Sequence, residues 1–198
     1  LVSHMIKGIR ALHRKETLHQ DLKPENIVLG DAGATIIDFG GCLIASVDEI
    51  HTTVQREKAL GTLHYSAPEY RYGGVRSAKS DQFSLAVIVY EMLTGQLPYG
   101  DAFLKPNRIE QFEKLKYTSA MQHNPLVPIW LDGALRKATS MKSDNRYASL
   151  SEFLYDLKNP NKDFLKLTNT PMINRNPVLF WQSVSAILLL LLVVSLTV

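Results

Sequence analysis

Apolar positions divide the chain into segments of different period. Leu1, Met5, Ile6, Ile9 and Leu12 recur at helical spacing and predict an amphipathic helix packed on a core. Two short β-prone runs follow, Ile27-Val28-Leu29 and Ala34-Thr35-Ile36-Ile37, separated by the turn-forming Gly30-Asp31-Ala32-Gly33, which predicts a hairpin. Asp38 to Glu69 is polar and irregular. Ser80-Asp81 then opens a strongly apolar run, Ala86 to Leu93, that ends at Gly95 and Pro98; a serine caps and a glycine stops helices, so a helix buried on most faces is expected. Beyond it, Ile109-Phe112-Leu115, Trp130-Leu131-Ala134-Leu135-Ala138 and Leu150-Phe153-Leu154-Leu157 each present one helical face. The pattern is that of a mainly α fold with a short β-hairpin near its start.

The last segment has no polar face. Residues 178–198 carry no charge and include five consecutive leucines. At about 1.5 Å per residue they are long enough for a hydrocarbon core of roughly 30 Å, which predicts a transmembrane helix with Phe180-Trp181 as an interfacial anchor. Lys162, Lys166 and Arg175 precede it and nothing basic follows, so the expected orientation is single-pass in the inner membrane with the preceding domain in the cytoplasm. Residues 159–177, with Pro160, Pro171 and several asparagines, read as a linker, leaving 1–158 as the folded domain.

Composition narrows the chemistry. A net charge of +3 with no basic patch interleaved with aromatics gives no reason to expect nucleic-acid binding. The single cysteine, Cys42, permits no internal disulfide, and His4, His13, His51, His64 and His123 lack metal spacing. The informative motif is HQDLKPEN, His19 to Asn26, followed by Asp38-Phe39-Gly40. Phosphoryl transfer to a hydroxyl needs a carboxylate near the acceptor proton and oxygen ligands for the magnesium that neutralises a triphosphate. Asp21, Asn26 and Asp38 supply such groups, with the cationic Lys23 between the first two, and the hairpin should bring Asn26, before its first strand, close to Asp38, after its second. Taken alone, an HxD reads as a turn in which Asp21 bonds local backbone; Asp21, Lys23, Asn26 and Asp38 together at these offsets argue against that reading.

HQDLKPEN and Asp38-Phe39-Gly40 resemble the catalytic loop and metal-binding triplet of the protein kinases. The resemblance implies a kinase C-terminal lobe using ATP and Mg2+, with Mn2+ as a substitute, on protein substrates with serine or threonine acceptors. It implies that Asp21 orients the hydroxyl and accepts its proton, Lys23 steadies the transferring phosphoryl group, and Asn26 and Asp38 hold metal. It also implies that Thr62, in GTLHYSAPE, ties Asp21 and Lys23 to the peptide site. His19, Gly40, Glu69, Asp81 and Arg146 become structural supports, with Glu69 and Arg146 forming a distant ion pair and Asp81 bonding the catalytic-loop backbone. Spacing alone would leave Glu69 and Arg146 as unrelated surface charges and Asp81 as a capping residue. Gly40 and Gly41 are expected to give the backbone freedom to turn after Asp38.

Gln20 departs from the pattern, since most of the family has an arginine there that pairs with a phosphate on the activation segment. A neutral amide cannot replace that charge, so control by phosphorylation of the segment, at Ser46, Thr52 or Thr53 for example, is not expected. The run Gln55-Arg56-Glu57-Lys58 reads as a solvated loop. No glycine-rich phosphate loop or strand lysine precedes the motif, so the expectation is a lower lobe without the upper lobe that holds ATP. Together with SEFLYDLKNP and NRNPVLFW before the terminal apolar run, the motifs are similar to the C-terminal part of bacterial bifunctional serine/threonine kinase/phosphatases. A membrane-anchored pseudokinase scaffold is the alternative.

Overall fold

The computed structural model describes residues 1–31, 33–44, 63–165, 178 and 180–188. Residues 1–165 form one compact unit and 166–198 a second.

The first unit opens with α1, Val2–His13, whose Met5, Ile6 and Ile9 are buried and whose last turn carries Arg10 and His13, favourable at a helix C-terminus. Leu1 lies outside this buried stripe, 55% exposed. After β1, Thr17–Leu18, a 3-10 turn at Pro24–Asn26 leads into the expected hairpin, β2 Ile27–Gly30 and β3 Gly33–Ile36. Ile27 pairs with Ile36 and Gly30 with Gly33, so both glycines belong to the strands and the loop is shorter than the sequence indicated. A second 3-10 turn, Phe39–Gly41, precedes β4, Leu43–Ile44, which returns to pair antiparallel with β1. No sequence signal pointed to that pairing.

α2, Glu69–Tyr72, is followed by α3, Ala78–Thr94, buried at every position from Ser80 to Tyr90. Its start differs from the expectation: Ser77 is the cap, and Ser80 sits at the third helical position to complete a capping box. Gly95 ends it in the left-handed conformation at φ 66°. The remaining helices are α4 Ile109–Phe112, α5 Ala120–His123, α6 Ile129–Ala138, α7 Leu150–Lys158 and α8 Lys162–Leu165. α3 is the pillar because it serves two cores. Leu85 and Ile88 pack with Met5 and Ile9 of α1, Leu135 of α6 and Phe153 of α7. Phe83 and Val87 pack with Phe103, Phe112 and Met141 on another side.

Glu69 and Arg146 close this lobe. Arg146 donates Nη1 to Glu69 Oε1 at 2.7 Å and Nη2 to Oε2 at 2.8 Å, with the residues 2% and 3% exposed, so the pair is buried and two-pronged rather than two surface charges. Burial by itself would raise the Glu69 carboxyl; the hydrogen bonds and charge of Arg146, with the Ser80 hydroxyl, outweigh it and hold the group below its ordinary range.

The compact unit continues past Lys158, where the sequence placed a linker. Phe164 of α8 is buried against α6, where Gly133 leaves room for it: a Cβ at Gly133 would lie 2.5 Å from Phe164 Cβ. The compact unit therefore runs to Leu165. In the second unit residues 180–188 are helical. Residue 179 and residues 189–198 of the expected membrane helix lie outside the described residues, and among those described no helix is long and apolar enough to cross a membrane.

Two outcomes follow for stability. Glu69→Gln should cost about 3–5 kcal/mol at neutral pH, since it strands the Arg146 guanidinium, as read from urea midpoints. Because the folded-state value of Glu69 lies below its unfolded 4.5, its contribution is complete above that pH and disappears as pH falls through the lower folded value, so the gap between variant and parent should close on acidification. Gly133→Ala should destabilise the unit by about 1–3 kcal/mol through overpacking against Phe164. A thermal midpoint equal to the parent's would show that α8 is not part of the fold.

Candidate active site

The loop from His19 to Lys23 is sewn to α3 by one carboxylate. Asp81, 1% exposed, accepts the backbone N–H of His19 at Oδ2 and that of Gln20 at Oδ1, each at 2.9 Å. His13 Nε2, at the end of α1, lies 2.8 Å from Oδ2. Asp81 belongs to the first turn of α3, where the helix dipole also favours a negative charge. The sequence left open whether Asp81 caps a helix or tethers a loop; the contacts are those of a tether.

Those bonds hold an unfavourable backbone. Gln20 has φ 64°, a left-handed conformation that costs a residue other than glycine about 1–3 kcal/mol. Its amide is fixed by Asp81 and its Oε1 accepts Arg76 Nη1 at 2.9 Å, while the Arg76 guanidinium sits 5.2 Å from the Tyr70 ring centre. Next to it, Asp21 Oδ2 lies 3.1 Å from Lys23 Nζ, both side chains about one-fifth exposed. Asn26, 5% exposed, donates Nδ2 to the Asp21 carbonyl at 2.8 Å and more weakly to Asp21 Oδ2 at 3.4 Å. This orients the amide and leaves Asn26 Oδ1 without a hydrogen bond among the described residues.

The hairpin delivers the second stretch. Ile37 N–H donates to the Asn26 carbonyl at 2.9 Å, which sets Asp38 one residue from Asn26 across the ladder. His19, fully buried, bridges the two stretches: its Nε2 lies 3.3 Å from the Ile37 carbonyl, its Nδ1 accepts the Asp21 N–H at 3.4 Å, and its ring packs 5.7 Å from that of Phe39. Accepting at Nδ1 places the proton on Nε2. The turn after Asp38 differs from the expectation. Neither Gly40 nor Gly41 has positive φ; the left-handed residue is Asp38 itself, at φ 60°, its Oδ1 accepting Gly40 N–H at 3.1 Å. Gly41 contributes closeness instead, since a Cβ there would lie 3.4 Å from Asp21 Cβ.

Asp21, Lys23, Asn26, His19, Gly40 and Asp38 thus meet at one place, with Asp81 beneath them; Glu69 and Arg146 form the separate buried pair. Thr62 lies outside the described residues, as do Ser46, Thr52, Thr53 and Gln55 to Lys58. Sequence reasoning missed His13 and Arg76. No local signal could have found either, because the contacts span 68 and 56 positions. It also treated Val28 and Ile37 only as strand-forming residues and Phe39 only as part of the metal-binding triplet, yet these apolar side chains are 48%, 40% and 53% exposed. Cys42 follows the turn; burial first, then the charges of Asp81 and Asp38, push its thiol pKa up and keep it protonated.

The donor set fits a hard cation brought by a polyphosphate. Magnesium typically takes one or two carboxylates and completes its shell with water and substrate phosphates. Asp38 is an exposed carboxylate and Asn26 Oδ1 a spare amide oxygen, and among the described residues no group of three or more His, Cys, Asp or Glu forms a dedicated metal cage.

Comparison with known proteins agrees with this geometry. The chain is 28% identical over 159 residues to serine/threonine-protein kinase PrkC of Bacillus subtilis, covering 80% of this chain and 24% of that protein. It is 34% identical over 147 residues to a probable serine/threonine-protein kinase PknB of Bifidobacterium longum, covering 73% and 21%. It is also 34% identical over 173 residues to serine/threonine-protein kinase PknD of Protochlamydia amoebophila, covering 77% and 17%. The chain spans about a quarter or less of the length of these relatives. The family model for the protein kinase domain matches residues 1–167, taking in the loop, the hairpin, the pillar helix and the buried ion pair, and on that match the chain belongs to the protein kinase domain family.

Proposed function

We propose that this chain carries the lower-lobe half of a serine/threonine kinase active site, transferring the γ-phosphoryl group of ATP to a protein hydroxyl. The observation that carries the proposal is the Asp21 carboxylate held beside Lys23 and Asn26 on a loop whose backbone is bonded to Asp81. Asp21 accepts the proton of the acceptor hydroxyl as the hydroxyl oxygen bonds to the γ-phosphorus and the bond from that phosphorus to the bridging oxygen of ADP breaks. Lys23 offers a cation to the transferring group. Asn26 Oδ1 and the Asp38 carboxylate would hold magnesium, or manganese in its place. Bound metal supplies neutralisation of the triphosphate charge.

The uncharged segment 178–198 and the basic residues before it support a single-pass anchor that keeps the kinase at the cytoplasmic face of a membrane. The glutamine-bearing loop and the residues before that segment support the finer assignment to bacterial bifunctional kinase/phosphatases. Reading the residues upstream of Leu1 for phosphatase metal motifs tests that assignment.

In the full-length protein, Asp21→Asn should lower kcat by about 10²–10⁴-fold, the usual contribution of a positioned general base, and Asp38→Ala should abolish magnesium-dependent turnover. Radiolabelled ATP with a protein acceptor provides the measurement. Wild-type turnover no higher than that of Asp21→Asn would mean a fold kept for binding alone. Deleting 178–198 should move the full-length protein from the carbonate-washed membrane fraction to the supernatant; an unchanged distribution would remove the anchor.

A further inference from the structure

A cavity of about 280 Å3 opens between the end of α1 and the starts of α3 and α7, away from the loop carrying Asp21. We propose that it binds a phosphate monoester. Its walls include Arg10, His13 and Arg14 from α1 and Lys79 from α3. Arg10 and Arg14 are four apart on one helix, a mutually repulsive spacing, and Lys79 adds a third cation. None of the three forms an ion pair among the described residues, and no carboxylate lines the cavity. Arg10 and Arg14 remain exposed and Lys79 is half-buried, yet all three wall one concavity, and an anion there would relieve their repulsion.

Helix ends of both signs face the cavity, because it opens at the C-terminal end of α1, whose partial negative charge already favours Arg10 and His13. Ala78, the first residue of α3, and Leu150 and Ser151, the first residues of α7, line the cavity, so two helix starts contribute partial positive charge to a site already defined by side chains. Of the carboxylates joined by hydrogen bonds to cavity residues, Asp81 is buried and engaged, and Glu152 is exposed. Asp81 is bonded by His13, His19 and Gln20, and Glu152 lies 3.5 Å from the capping Ser149 hydroxyl. The volume exceeds what a bare tetrahedral anion fills and approaches the lower end of small-ligand pockets, roughly 300 Å3. Ala78, Ala148, Leu150 and the arginine stems add apolar wall beside the polar Gln82, Ser149 and Ser151, which suits an ester with an organic group better than inorganic phosphate.

His13 gives the site its consequence. It lines the cavity and also lies 2.8 Å from the Asp81 oxygen that takes the His19 N–H, so a bound phosphate would sit one side chain from the tether of the Asp21 loop. The proposal does not depend on phosphoryl transfer.

The test is calorimetric titration of the full-length protein with phenyl phosphate, a phosphoserine pentapeptide and its unphosphorylated counterpart. Saturable binding of a phosphorylated probe is expected, weakened about tenfold, the equivalent of one charge-assisted contact, in Arg14→Gln and in Lys79→Gln. Tighter binding of phenyl phosphate would point to a small-molecule source and tighter binding of the peptide to a phosphoprotein. Hydrogen exchange, which needs no variant, should slow at the amides of 148–151 when the probe is added. Absence of saturable binding, equal binding of the unphosphorylated peptide, or affinity and exchange indifferent to the cavity residues would overturn the proposal.

Discussion

A buried carboxylate at the start of the pillar helix is the constraint on which the active site rests. Removing an ionised Asp81 from water is expensive unless donors replace the lost solvent, and here two backbone N–H groups of the HQD loop and the His13 imidazole do so. The requirement runs both ways. The carboxylate needs the loop in this conformation to be satisfied, and the loop needs the carboxylate to hold Gln20 at positive φ. Because Asp81 stands on a helix buried in two cores, the loop inherits the rigidity of the whole lobe.

The second stretch is registered to the first by the hairpin ladder and by His19. The ladder sets Ile37 opposite Asn26, and the buried imidazole reads the Ile37 carbonyl with one nitrogen and the Asp21 amide with the other. Two residues are strained, Gln20 beside Asp21 and the proposed metal-holding Asp38; the first is held by the distant Asp81 carboxylate and the second by a local bond from Gly40 N–H. Such strain persists where surrounding structure over-determines it, and here the closeness of Gly41 to Asp21 completes the enclosure.

Arg76 changes how Gln20 is understood. Read alone, a neutral residue in that position signals only the loss of a charge. In the fold, a cation arrives from the segment between α2 and α3 and bonds the glutamine side chain, so positive charge remains beside the loop while its source has moved. The Arg76 guanidinium also lies over Tyr70 of α2, the helix that holds Glu69, and so connects the loop to the region of the Glu69–Arg146 closure.

The sequence by itself determined the elements and the chemistry. Period-3.6 apolar spacing marked α1, α6 and α7, glycine at 95 ended α3, and a short string of polar residues singled out Asp21, Lys23, Asn26 and Asp38, because local propensity and functional-group identity are properties of neighbouring residues. Its errors are equally physical. The capping serine was misplaced because several serines compete at the start of α3, and the domain end was set too early because the contact of Phe164 with Gly133 is not local. What only the tertiary structure decided is which distant groups meet: His13 with Asp81, Arg76 with Gln20, β4 with β1, and basic side chains of α1 and α3 around one cavity. Those pairings depend on chain segments brought together by burying a common core, and no window of sequence contains both partners.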